Sequence, residues 1–245
     1  MNRLLAALLL AWFVGVPADG GDLTAKVKKG TLEILGSDED DVFDVVGLGP
    51  GVVVVRGLHG TTVNGKQKKT FDGVDRDVTI KTMAGDDDVA VFDLWVGDDL
   101  RVKVDGGHDR VLLDGVYVAD DLLVLGENGR DDLTLHGVVV DGDASVKGGK
   151  KADDVWLFDC VFDGDFVLRA GKGDDDVDVE ACLFTEDAEF DLGGGYDTIA
   201  LVYGTSFWDD VEFDGGGDVD AILLGGVWFA WGTDVDVDDF EFLYS

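Results

Sequence analysis

The stretch GKGDDDVDVEACLF, residues 171–184, decides the fold. It holds four aspartates within eight residues, so by itself it is an acidic patch that repels itself. Its meaning comes from register. Steps of 22 residues from Asp87 give a column of aspartates: Asp87, Asp109, Asp131, Asp153, Asp175 and Asp197. One inserted residue near Thr205 moves the next member to Asp220. Two residues after each stands an apolar residue (Val89, Val111, Leu133, Val155, Val177, Ile199, Ile222). Two further on stands another (Val91, Leu113, Leu135, Leu157, Val179, Leu201, Leu224). Within the cluster only Asp175 belongs to the column; Asp174, Asp176 and Asp178 occupy variable positions.

Each unit carries two more apolar pairs, such as Leu94/Val96 and Leu100/Val102, or Val116/Val118 and Leu122/Val124. Alternation with period two marks short strands, and the i, i+3, i+4, i+7 pattern of a helix is absent. Three short strands cannot bury an apolar side alone. Stacked copies can, because each apolar residue then lies on its counterpart one coil along. The expected fold is all-β: a single-stranded, three-sided parallel β-helix (β-solenoid) with 22-residue coils. The usual hand of parallel crossovers makes it right-handed. At a spacing of roughly 4.8 Å, seven coils would make a rod of about 34 Å.

Outside the regular units the chain divides readily. MNRLLAALLLAWFVGVPADG opens with Arg3, an apolar run from Leu4 to Val16 and a small-residue site at Val16-Pro17-Ala18. This pattern predicts a secretory signal peptide over 1–18, a run too short to span a bilayer comfortably. The product would be secreted or held at the cell surface, with no membrane segment after cleavage. Residues 19–82 read as an N-terminal cap with irregular first coils. Thr31–Ile34 and Asp41–Phe43 are coil fragments, and Val63-Asn64-Gly65-Lys66 is a hairpin turn. Regular coils occupy 83–230, and 231–245 form a C-terminal cap over a sheet edge that would otherwise be bare.

The chain of 245 residues has 53 acidic and 19 basic residues, a formal charge of −34. Removing 1–18 takes away Arg3 and no acid, giving −35. Nucleic acid, which needs a basic face, is excluded as a partner. Cations are the natural counterpart. Acids placed only for hydration would not need to keep a 22-residue register.

The turns before the aspartate column include Gly171-Lys172-Gly173-Asp174-Asp175-Asp176-Val177 and Gly193-Gly194-Gly195-Tyr196-Asp197-Thr198-Ile199. They resemble the RTX (hemolysin-type) repeat of secreted bacterial calcium-binding proteins. The resemblance covers the turn and first strand of about seven coils. It departs in having one such turn per 22-residue coil, with Lys151 in place of a glycine and Arg110 or Arg130 beside the column. It implies Ca2+ held between coils by Asp87, Asp109, Asp131, Asp153, Asp175, Asp197 and Asp220 together with turn carbonyls. Physics adds a separate motive. Aspartates stacked about 5 Å apart repel by roughly 0.8 kcal/mol per pair in water, and a hard cation converts that repulsion into ligation. A purely structural role for the column is equally open.

A second column (Asp77, Asp99, Asp121, Asp143, Asp165, Asp187, Asp210) precedes the third strand and lacks the glycine turn. Turn capping is its expected role. Cys160 and Cys182 share one inward column, as a cross-coil disulfide or as two small apolar side chains. An outward column is oddly apolar: Trp95, Tyr117, Val139, Val161, Leu183 and Trp228. A protein partner, a second copy or a glycan could bind there, or the C-terminal tail with Phe240, Phe242 and Tyr244 could cover it.

Catalytic constellations are weak. His59, His108 and His136 share no column, and neither cysteine has a basic activator. Coil-to-coil insertions, from which β-helix polysaccharide lyases and hydrolases build their clefts, are nearly absent. The sequence therefore points to a non-catalytic, exported structural or adhesion module stabilised by Ca2+. A carbohydrate-active β-helix enzyme is the alternative. An ice-binding solenoid is disfavoured by the lack of Thr-x-Thr columns.

Overall fold

The computed structural model describes residues 20–244. The expected signal peptide lies outside the described residues. All the described secondary structure is β. Three sheets run along one rod, and their strands follow one another in turn. The first face holds five-residue strands such as Arg110–Asp114, Asp132–His136 and Asp154–Phe158. The second holds two-residue strands such as Tyr117–Val118 and Val139–Val140. The third holds strands such as Leu122–Gly129 and Ala144–Lys150. Pairing is parallel, and the register is the 22-residue step: Val89, Val111, Leu133 and Val155 are successive partners. The three-sided parallel β-solenoid is thus the fold of the chain. The extra residue near Thr205 is absorbed at Tyr203-Gly204, a turn where both residues have positive φ, and Leu183 then pairs with Ser206.

Every inward column is buried. Leu94, Val96, Leu100 and Val102 are at most 2% exposed, as are their counterparts in the next coil. The core composition changes along the rod. Val96, Val118 and Val140 are followed in their column by Phe162, Phe184, Phe207 and Phe229. Phe184 and Phe207 stack with centroids 4.9 Å apart, and Phe184 meets Phe190 edge-on at 5.7 Å. Where phenylalanine enters, neighbouring positions shrink: Cys160 and Cys182 follow Val138, and Ala188 follows Phe166. Close packing requires this trade, since coil spacing is fixed by backbone pairing. Both cysteines carry free, buried thiols, so they take the role of small core residues. Contact with the Cys160 thiol and burial push the Cys182 thiol up.

The head of the rod is closed by reversals. Thr31–Leu35 and Val42–Gly47 pair in parallel with the coil that follows. Asp22–Lys28 then runs antiparallel to the former, and Gly51–Gly57 antiparallel to the latter. The turn expected at 63–66 is present. Val63 and Lys66 bridge across Asn64 and Gly65, both with positive φ, as a two-residue hairpin turn demands. Leu23, Val53, Val55, Val63 and Phe71 seal this end of the core.

The tail is built differently from a cover. Val235–Asp238 adds a rung to the third sheet and Phe242–Tyr244 adds one to the first. The tail therefore continues the coil and leaves the outward Trp95 column open, with Trp95 stacked on Tyr117 at 6.1 Å.

Candidate functional site: two aspartate columns

The inner column forms at the corner between the third and first faces. The chain can turn there because successive coils touch backbone to backbone. A Cβ at Gly195 would lie 1.4 Å from the Gly173 carbonyl oxygen, and one at Gly173 would lie 2.2 Å from that of Lys151. Close approach explains the glycines here. Lys151 fits the same column by adopting φ +74°.

All seven expected aspartates lie on this column, each at most 1% exposed. Each accepts, through Oδ1, the backbone N–H of the aspartate one coil earlier. Asp109 N–H donates to Asp131 at 2.9 Å, Asp131 N–H to Asp153 at 2.8 Å, and Asp175 N–H to Asp197 at 2.7 Å. The column is longer than its sequence signature. Asp41 begins it, its N–H bound to Asp87, and Glu241 ends it by accepting from Asp220 N–H. Both were hidden in the sequence. Asp41 stands 46 residues before Asp87, across the head excursion, and Glu241 breaks both spacing and residue type.

The second carboxylate oxygen is the chemical anomaly. Oδ2 of Asp87, Asp109, Asp131, Asp153, Asp175, Asp197 and Asp220, and Oδ1 of Asp41, are buried and meet no hydrogen-bond partner among the described residues. A carboxylate left so is destabilised by lost hydration. Burial accordingly pushes Asp109 and Asp153 up to about 8, Asp87 and Asp197 to about 7, and Asp131 and Asp175 to about 6. Neighbouring carboxylates add to the shift. A proton, a cation or a bound water can each satisfy such an oxygen.

A cation test on these residues gives a divided result. The orphaned oxygens and nearby carbonyls are hard donors of the kind Ca2+ prefers. A Cβ placed on Gly126 would lie 2.7 Å from Asp131 Oδ2 and 2.5 Å from the Gly148 carbonyl oxygen, so two oxygens converge on one point beside the glycine. Yet each coil offers one free carboxylate oxygen, because the other is held by a backbone N–H.

The outer column behaves in the opposite sense. Asp121 N–H donates to Asp99 at 3.2 Å, Asp143 N–H to Asp121 at 3.0 Å, and Asp165 N–H to Asp143 at 3.1 Å. Its carboxylates reach forward along the rod, whereas the inner ones reach back. These carboxylates accept backbone N–H groups as expected, but the turn each one caps belongs to the next coil and not to its own. The tight carboxylate triads among the described residues also lie here: Asp99, Asp120, Asp121 and Asp187, Asp209, Asp210, each with oxygens within 4.8 Å of one another. A shallow open groove of about 400 Å³ follows this side, lined by Asp165, Asp187, Glu189, Asp210, Glu212, Asp234 and Asp236 with no basic residue.

The three consecutive aspartates of the 171–184 stretch now have separate tasks. Asp174 reaches forward to Tyr196 N–H at 3.0 Å, Asp175 reaches back to Asp153 N–H at 2.7 Å, and Asp176 binds the Thr198 hydroxyl. His136, the most enclosed of the three histidines, is held by Asp114 at 2.7 Å and stacks on Phe158, away from both columns. No helix of the described residues is long and apolar enough to cross a membrane. No family model, curated protein or solved structure matches the chain, so its activity must be read from the geometry of its own residues.

Proposed function

We propose that this chain is an exported, non-catalytic β-solenoid that serves as a structural or adhesion module at the cell surface or outside the cell. Its coils are stabilised by divalent cations, Ca2+ first among them. The observation that carries the cation is the row of buried aspartate oxygens without a hydrogen-bond partner. Asp87, Asp109, Asp131, Asp153, Asp175, Asp197 and Asp220 would supply carboxylate oxygen, and corner carbonyls would supply the rest. Bound Ca2+ would supply positive charge at the corner. The non-catalytic reading is supported by the smoothness of the rod: coil length from Asp87 to Asp220 varies by one residue. A glycosidase would need its carboxylates in a cleft with a raised-pKa acid on one side of a sugar. The groove beside Asp187 is open, and every charged residue that lines it is acidic.

Calcium titration with thermal melts at neutral pH tests the cation. Millimolar Ca2+ raising Tm, with chelator reversing it, is the expected result. An unchanged Tm in Ca2+, combined with a rise on acidification, assigns the corner to protons and removes the metal. Turnover of an anionic polysaccharide by the purified chain would overturn the non-catalytic reading.

A further inference from the structure

The two ends of the rod differ in charge, in closure and in strand direction, and together these differences define a partner. Residues 20–83 carry nine basic and ten acidic side chains, whereas residues 173–245 carry twenty-one acidic and no basic ones. Among the described residues the outermost strand at the head is Lys68–Val74, which pairs only with Gly51–Gly57 and leaves its other edge without a strand. Lys66, Lys68 and Lys69 sit on or beside it, and Lys66 and Lys68 form no ion pair among the described residues. At the tail, Trp228–Phe229, Val235–Asp238 and Phe242–Tyr244 end the three sheets. Core columns lie open there. Val235 and Val237 are 38% and 37% exposed, against 3% and 0% for Val211 and Phe213 one coil below. Asp238, Asp239 and Glu241 flank this edge and are exposed.

We propose that copies of this chain associate head to tail, the lysine-bearing edge of one rod meeting the acidic edge of the next. Strand direction permits it. Gly51–Gly57 is antiparallel to Val42–Gly47, and Lys68–Val74 is antiparallel to Gly51–Gly57. Two reversals restore the direction of the sheet, so Lys68–Val74 of one copy would continue the first sheet of another in parallel beyond Phe242–Tyr244. Lysine stems cover apolar surface while their ammonium groups reach carboxylates. Like ends are excluded by charge, acid against acid or lysine against lysine, which is how edge strands avoid self-pairing. The remaining combination is heterologous, and a heterologous contact that does not close into a ring grows openly.

Sedimentation velocity of the full chain over a range of concentrations tests this. In about 10 mM salt, where the screening length is about 30 Å, mass should grow with concentration past the dimer. In about 1 M salt, where it is about 3 Å, the chain should return to monomer. The variants Lys66→Glu/Lys68→Glu/Lys69→Glu and Asp238→Lys/Asp239→Lys should each lose every species above monomer. Their equimolar mixture should associate again, since reversed heads then meet reversed tails. Circular dichroism and Tm of each variant establish that it is folded, and recovery in the mixture is a result that unfolding cannot produce. A chain that stays monomeric in low salt overturns the proposal. So does a dimer that never grows, strengthens with salt and ignores the lysine changes, because that marks pairing of two tails.

Discussion

The buried backbone N–H of Asp131 donates to Oδ1 of Asp153, 2.8 Å away in the following coil, while Oδ2 of the same carboxyl has no hydrogen-bond partner among the described residues. One side chain thus fills a structural need and leaves another open. The two can be separated by substitution. Asp153→Asn keeps an acceptor for Asp131 N–H and carries no charge, so it should leave stability unchanged or raise it at pH 8 without metal. Asp153→Ala removes the acceptor and should cost about 1–3 kcal/mol. Urea unfolding of the two variants checks the contrast. In Ca2+ the parent should gain in Tm over its metal-free value, and Asp153→Asn should gain less.

Stability should fall as pH rises. Burial raises the folded-state values of the inner aspartates to between about 6 and about 8, above the ordinary 3.8. Between those limits the folded chain binds more protons than the unfolded chain, so unfolding is favoured by raising pH. The contribution is fully present near pH 4 and lost through pH 6–8. Melting in chelator at pH 5 and pH 8.5 should give the higher Tm at pH 5. Each kcal/mol gained is worth roughly 2–4 °C in a domain of this size. Equal Tm values would mean that the corner is hydrated or already charge-compensated.

Neighbouring glycines should respond differently to the same change. Gly195→Ala drives a methyl into the Gly173 carbonyl, and overpacking of this kind costs about 1–3 kcal/mol or more. Gly194→Ala meets nothing within 4 Å and should stay within about 0.5 kcal/mol of the parent. Denaturant midpoints for the pair test the backbone-contact account of the glycine column.

Phe184 sits at the crossing of two aromatic stacks, touching Phe162, Phe166, Phe190 and Phe207. Phe184→Ala should cost about 3–5 kcal/mol. Hydrogen exchange should show protection lost first in the coils on either side of residue 184, because coils in a solenoid contact only their neighbours.

The rod itself was legible because its repeat is nearly free of insertions, and each apolar column has only one inward place to go. The hairpin at Asn64-Gly65 was legible from turn chemistry alone. The direction in which each carboxylate reaches was not, since nothing in the sequence around Asp143 or Asp153 states which neighbouring coil supplies the donor. The constraint at Gly195 is the Gly173 carbonyl of the preceding coil, which local sequence does not display. The place of the tail was left open for a related reason. Phe240 and Phe242 suit a cover over the Trp95 column, but a strand paired on Ala221–Gly225 also completes that coil's backbone hydrogen bonds.

The opposed reach of the two columns makes every junction between regular coils chemically equivalent. Excising one whole repeat from the aliphatic part of the rod, for example residues 110–131, would bring together corners and core columns that nearly match, with Asp109 N–H facing Asp153 as it now faces Asp131. Rod length is therefore a quantity that gene duplication and deletion can adjust in steps of 22 residues with the corner hydrogen bonds kept, wherever the core volumes on either side also match, while a change of a single residue survives only where a turn such as Tyr203-Gly204 can swallow it.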